Sequence, residues 1–135
     1  MTEANLEFLN PSHWKKPIGY SNGVAASGRY VVTGGIIGWN ENYEFETDDF
    51  AEQVDQALRS IVEVLAEGGA KPEHIVRMTW YVTDKQAYLA SLKQIGQSYK
   101  THIGRHYPAM ALVQVVALVE DRAKVEIEVT AVVPE

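Results

Sequence analysis

Between Phe50 and Leu65 the apolar residues Phe50, Val54, Ala57, Leu58, Ile61, Val62 and Leu65 recur at steps of three and four. That spacing gathers them into one stripe of an α-helix. Thr47 or Asp48 stands where an N-cap is needed, and Gly68-Gly69 where a helix ends, so the pattern predicts a helix running to about Glu67. A second stripe, Tyr88, Leu92, Ile95 and Tyr99, follows a candidate cap at Asp84 and stops near Gly104. Elsewhere the period drops to two. Val125, Ile127, Val129 and Ala131 alternate with Glu126, Glu128 and Thr130, which predicts a strand over Ala123 to Val133 with one apolar and one polar face. The β-branched and aromatic run His74 to Thr83 predicts another, and Met110 to Leu118 a third. Near the start, Gly23 to Ser27 and Arg29 to Gly34 read as short strands joined at Gly28 as a hairpin, with a shorter strand near Leu6-Phe8. Gly35 to Asn42 reads as strand end and loop.

The order is therefore βββαβαββ, and one mainly antiparallel sheet covered by two helices on one face is an α+β fold. Length allows one domain, residues 1–135. The sheet face without helices must be solvated or buried against another subunit. Alternation along the Met110 strand assigns Met110 and Leu112 to that face, where apolar side chains favour self-association.

Charge narrows the function. Twelve Lys/Arg against eighteen Asp/Glu leave a net charge of −6, and the basic residues are scattered, Lys15-Lys16 being the one adjacent pair. A phosphate backbone is repelled by such a surface, so a nucleic-acid function is not expected. No apolar run approaches the roughly 20 residues of a membrane span, and the start has no leader-like apolar stretch, so neither a membrane nor export is expected and the cytoplasm is the default. With no cysteine there is no disulfide framework and no thiolate chemistry. The four histidines, His13, His74, His102 and His106, show no metal-ligand spacing, so no metal is expected. Ser21 lacks a His/Asp pattern that would make it a nucleophile.

Six short segments, in order along nearly the whole chain, resemble the Rid (reactive intermediate deaminase, or YjgF) family. They are Pro17-Ile18-Gly19-Tyr20-Ser21-Asn22-Gly23-Val24, Val31-Val32-Thr33-Gly34-Gly35-Ile36, Gln53-Val54-Asp55-Gln56-Ala57-Leu58 with its closing Gly68-Gly69-Ala70, Ile75-Val76-Arg77-Met78-Thr79, Pro108-Ala109, and Val125-Glu126-Ile127-Glu128. The resemblance implies a chorismate-mutase-like domain assembled as a homotrimer, with a small-molecule cleft at each subunit interface and no cofactor. The departures are as informative. Deaminating members follow Pro-Ala with an arginine that clamps the substrate carboxylate; here the residue is Met110, which cannot donate a hydrogen bond or balance an anion. The family's asparagine in the second helix is also missing, with Lys93 nearest to it, and the turn Val119-Glu120-Asp121-Arg122 is one residue longer and lacks its proline.

Against this frame Glu126 is the candidate catalytic residue, a carboxylate on the helix-free face able to hold and polarise water. The competing reading is a surface or interface carboxylate; for Glu128 a structural role is expected. Tyr20 is the second candidate, its hydroxyl orienting substrate or water, against ordinary packing of a loop aromatic. Gly34 and Gly35 would let a ligand approach the backbone, or else mark a β-bulge. Trp39 walls the cleft or covers the sheet edge. Arg105 would capture an anionic group and His106 would titrate near neutrality, unless both are solvated loop residues. Met110 and Leu112 suit a substrate that is neutral, bulky or apolar where relatives' substrates carry a carboxylate. The expected function is hydrolysis of an enamine or imine other than the usual 2-iminoacid. The alternatives are a non-catalytic metabolite-binding or regulatory trimer using the same cleft, and a trimer whose surface docks an enzyme.

Overall fold

The computed structural model describes residues 5–135. Its strands are β1 (Leu6–Phe8), β2 (Val24–Ala26), β3 (Arg29–Val32), β4 (Ile36–Ile37), β5 (Ile75–Val82), β6 (Ala109–Gln114) and β7 (Val125–Val133); its helices are α1 (Phe50–Glu67), α2 (Lys85–Ala90) and α3 (Leu92–His102). The main sheet has the order β3-β7-β5-β6, with β4 pairing β7 beyond the end of β3. All its pairings are antiparallel except β5 with β6, whose crossover is α2 and α3.

Helix α1 is the predicted one, capped just past both candidates. Asp49, not Thr47 or Asp48, accepts the amide of Glu52 at 3.0 Å, while the Thr47 hydroxyl accepts the amide of Asp49. At the other end Gly69 takes φ +75 and the amide of Ala70 reaches back to the carbonyl of Leu65 at 2.9 Å, the left-handed closure that glycine permits. The second helix is broken at Ser91. Asp84 caps α2 as expected, but the break shifts the stripe: Ile95 and Tyr99 are buried while Leu92 lies half exposed.

Two strand expectations fail. Gly28 does not close a hairpin: β2 pairs with β1 in a separate two-stranded ribbon, and β3 pairs with β7. Gly28 is where the chain passes from ribbon to sheet, at φ +145, so close to Val133 that a Cβ would lie 2.9 Å from its carbonyl carbon. The glycine does mark a turn, but the strands on either side of it pair elsewhere, because pairing is decided by distant strands. β6 also stops at Gln114 rather than Leu118. The amide of Val115 takes the last carbonyl of β5, Val82, at 2.8 Å, and past it no strand is left to pair with.

The core lies between the sheet and α1/α3. Leu58, Ile61 and Leu65 pack with Ile75, Met78, Trp80, Val125 and Ile127, all essentially without exposure. Register fixes what faces away. Met78 and Trp80 are opposite Met110 and Leu112 in the β5–β6 ladder, so Met110 and Leu112 lie on the helix side and pack against the core. This corrects their assignment to the bare face. The residues of β6 that do share the bare face are Ala109, Ala111 and Val113, level with Arg77, Thr79 and Tyr81.

Candidate functional site

Two corners of the sheet gather most of the candidate residues. The first lies where β4 meets β7. Glu126 alternates onto the bare face, half-buried, opposite Ile37 on one side and Tyr81 on the other. Its carboxylate lies over the backbone of Gly35: a Cβ there would fall 2.6 Å from the carboxyl carbon and closer still to an oxygen. Gly35 is thus a close-approach glycine, and the approaching group is Glu126 itself. Gly34 beside it is open, with no atom within 4 Å of where its Cβ would be. The strand that carries this corner is held by Thr33, whose amide bonds the carbonyl of Val129 at 2.9 Å and whose hydroxyl accepts the amide of Val129 at 3.1 Å.

Tyr81 and Glu128 complete the polar row. The Tyr81 hydroxyl donates to Glu128 at 2.8 Å, and that bond, with the neighbouring charges of Glu128 and Glu126, pushes the phenol's pKa up. A protonated phenol therefore stands level with Glu126. Farther along the same face, Val32, Thr33, Arg77, Thr79, Glu128 and Thr130 line a shallow cavity of about 350 Å³. Tyr81 was missed from the sequence; its signal was the alternation of Arg77, Thr79 and Tyr81 within an otherwise apolar run. Gln53, the first residue of the family-like segment in α1, has a structural role. It is fully buried and clamps the entry to β7: its amide nitrogen donates to the carbonyls of Thr47 and Arg122, and its oxygen accepts the amide of Lys124 at 2.9 Å.

The second corner is at the start of β6. Ser21 donates its hydroxyl to the carbonyl of Tyr107 at 2.7 Å and its amide to that of Pro108 at 3.0 Å, which spends the hydroxyl on structure and docks the segment 20–21 beside β6. Tyr20, 43% exposed, precedes Ser21, which bridges Ala109 at the start of β6, next in sequence to half-buried Met110. Arg105 is exposed and makes no hydrogen bond or ion pair with any described residue. His106 is no solvated loop residue: its Nε2 donates to the carbonyl of Ile75 at 2.6 Å, its ring meets Phe8 edge-on, and burial pushes its pKa down.

The corners are not one site within a subunit. β5 lies between β7 and β6, two ladder spacings of roughly 5 Å each, and Met110 and Leu112 point to the opposite side of the sheet from Glu126. Trp39 joins neither corner. It stacks on Tyr43 and lines a groove along α1 that contains neither Glu126 nor Tyr20. Lys93 is exposed on α3. Among the described residues no three His, Asp or Glu side chains are grouped to share a metal ion, and no helix is long and apolar enough to cross a membrane.

A sheet with helices on one side only, a parallel β5–β6 pair at one edge and a glycine-seated carboxylate at the other defines a small α+β domain of the chorismate-mutase-like class. A family model described as Endoribonuclease L-PSP matches residues 14–133, and the chain belongs to that family, known as YjgF/Rid. It is 35% identical over 117 residues to a RutC family protein of Aquifex aeolicus, covering 86% of this chain and 90% of that one. It is 30% identical over 126 residues to the 2-iminobutanoate/2-iminopropanoate deaminase of Escherichia coli, covering 87% and 97%. Among solved structures, a Rid-family protein of unknown function from Yersinia pestis, YyfB, superposes with TM-score 0.84 at 32% identity, over 95% of this chain and 98% of that one.

Proposed function

We infer that the protein hydrolyses an enamine or imine without a cofactor, in a cleft completed between copies of the chain. The observation that carries this is Glu126, whose carboxylate is seated over Gly35 on the bare face with the Tyr81 phenol level with it. A second subunit, packed on the bare face in a homotrimer, brings its Tyr20–Met110 corner to this carboxylate, which supplies what one subunit lacks. The family relationship to a 2-iminobutanoate/2-iminopropanoate deaminase supports the reaction class.

In this reading water held by Glu126 adds to the imine carbon, the carboxylate takes its proton and passes it to the nitrogen to give the carbinolamine, and transfer of the carbinolamine's hydroxyl proton to nitrogen as the C–N bond breaks releases a carbonyl compound and ammonia. Imines hydrolyse readily in water, so positioning supplies most of what is needed. Met110 and Leu112 offer the substrate apolar contact and no positive charge. A charge-assisted contact contributes about 1.5–3 kcal/mol, so 2-iminoacids are poor substrates and neutral imines better ones.

The test is ammonia release from an imine generated in situ by an amine oxidase from an uncharged arylalkylamine. Glu126→Gln keeps size and most hydrogen bonding but removes the proton acceptor. Turnover is expected to fall about 10²–10⁴-fold with assembly mass unchanged. A Gln variant at the wild-type rate removes Glu126 from the mechanism, and a wild-type protein that binds such amines but never accelerates ammonia release leaves a metabolite-binding module.

A further inference from the structure

Toward the end of the bare face away from Glu126, the lining of the shallow cavity on the sheet is rich in hydrogen-bond donors. Arg77 stands in a row with Ala109 on one side and Thr130 and Val32 on the other, none of them charged. Glu126 and Tyr81 occupy a row four residues along β5, about 13 Å away at 3.3 Å per residue. Arg77 is exposed and makes no ion pair with a described residue. Thr79 and Thr130 are half-buried, and their hydroxyls have no hydrogen-bond partner among the described residues. Thr33 is 9% exposed; its hydroxyl accepts the amide of Val129 at 3.1 Å, and its proton has no acceptor among the described residues. Arg77 and the three threonines line one cavity of about 350 Å³.

Bonds within the described chain thus leave a guanidinium and the hydroxyl protons beside it unclaimed. Sheet stability does not account for them, since arginine opposite alanine or threonine gains no charge pairing across the strands. Glu128, the one carboxylate in the lining, is bonded to Tyr81 at 2.8 Å rather than to Arg77. A fork of N–H donors flanked by hydroxyls fits a planar carboxylate: the guanidinium bonds both oxygens and the hydroxyls take the remaining lone pairs. Glu128 in the same lining repels a second negative charge, which favours a monoanion over a dianion. Val32, 62% exposed, adds an apolar contact for a short alkyl group.

We propose that this cavity binds a small carboxylate monoanion, held by Arg77 together with the hydroxyls of Thr33, Thr79 and Thr130. Glu126 and Tyr20 are absent from its lining, so the site stands whether or not the protein hydrolyses imines. One consequence does rest on the assembly inferred above. A subunit packed on this face closes over the guanidinium, and the bound carboxylate then supplies the counter-charge without which burying an arginine is strongly unfavourable.

The test is an NMR titration of the full chain in which acetate replaces chloride at constant ionic strength, following the Arg77 Nε–H and the amides of Thr79 and Thr130. Expected is saturable movement of these signals, with affinity lowered at least tenfold by Arg77→Gln and severalfold by Thr79→Val. Both side chains lie on the bare face, outside the core, so the variants keep the fold. Arg105→Gln, at an exposed arginine outside the cavity, is expected to change affinity less than twofold. Phosphate at alkaline pH, a dianion, is expected to bind more weakly than acetate, and Glu128→Gln to narrow that difference. Equal losses from Arg77→Gln and Arg105→Gln, or shifts that rise linearly with acetate, would show unspecific screening and overturn the proposal. So would phosphate binding more tightly than acetate. No shift in the wild-type chain, with a lower assembly mass for Arg77→Gln, would overturn it too, by making Arg77 the partner of a neighbouring subunit's carboxylate.

Discussion

The two faces of β7 differ sharply. Val125, Ile127, Val129 and Ala131 have at most 2% exposure and pack under α1. One residue away in each case, Glu126, Glu128 and Thr130 sit on a face that no helix covers, beside Tyr30 and Val32 at 71% and 62% exposure. The inner face is closed within one chain. The outer face holds a seated carboxylate, a phenol–carboxylate bond and uncovered apolar groups, a combination that neither a solvated sheet nor a core displays. A single strand therefore serves stability with one half of its residues and is available for chemistry and association with the other.

The largest expected effect separates these roles. Ile127→Ala removes a fully buried side chain between α1 and the sheet and is expected to cost about 2–5 kcal/mol in denaturant unfolding. Val32→Asp, on the outer face, is expected to change stability by only about 0.5 kcal/mol in the isolated chain, yet, if copies of the chain pack on that face as proposed, to shift the light-scattering mass toward monomer by placing a charge in their contact. A monomer mass for the wild-type chain at micromolar concentration would instead make the outer face a solvated one.

The same contrast explains what the sequence disclosed. The strict alternation of 125–131 and the stripe of α1 made both faces of β7 and the principal helix legible, because burial imposes a period. Glu126, Gly35 and Tyr20 become candidates only through short segments that resemble a known family, and the structure adds the close approach of Glu126 to Gly35. What escaped depends on partners distant in the chain. Gly28 announced a turn, but whether β2 meets β3 or β1 is set by residues twenty or a hundred positions away. Alternation within β6 was sound, but its phase relative to the core follows from parallel pairing with β5, and Met110 and Leu112 were placed on the wrong face for that reason. Trp39 looked like a cleft wall because it follows Gly34-Gly35; the chain turns away after Ile37 and carries it to α1.

Met110 sharpens the comparison next, since it lies on the helix side and is only half-buried. A long side chain at the β6 edge can keep its stem against the core and its head in the solvent. Met110→Arg is therefore expected to fold, and to improve KM for 2-iminoacids tens-fold through a charge-assisted contact of about 1.5–3 kcal/mol. Unchanged kinetics on 2-iminobutanoate with a folded variant would mean that position 110 does not face substrate, and that the outer corner with Glu126 works alone.

The smallest effect lies at the border between the faces, where His106 braces the start of β5. Its Nε2 donates to the carbonyl of Ile75, so Nδ1 carries no proton in the neutral ring. Burial pushes the pKa down from 6.5, more than the bond to Ile75 and the charge of Glu73 raise it; His74 pushes it down further. The neutral form is thus favoured by folding, and the unfolded chain binds the extra proton first as pH falls. The stability this residue contributes is fully present above about pH 6.5 and declines as pH drops below that value toward the lowered folded pKa. Asp55 acts in a lower window: burial raises its pKa, but Ser98, His102 and Arg59 together hold it below 3.8, so its contribution is lost only when pH falls below about 4. Unfolding midpoints measured between pH 7.5 and 5 are expected to fall with acid in the wild-type chain, and His106→Gln is expected to flatten that slope while lowering the midpoint throughout by weakening the hold on Ile75. A slope unchanged in the variant would place the acid sensitivity elsewhere, and would leave the brace at Ile75 a matter of packing alone.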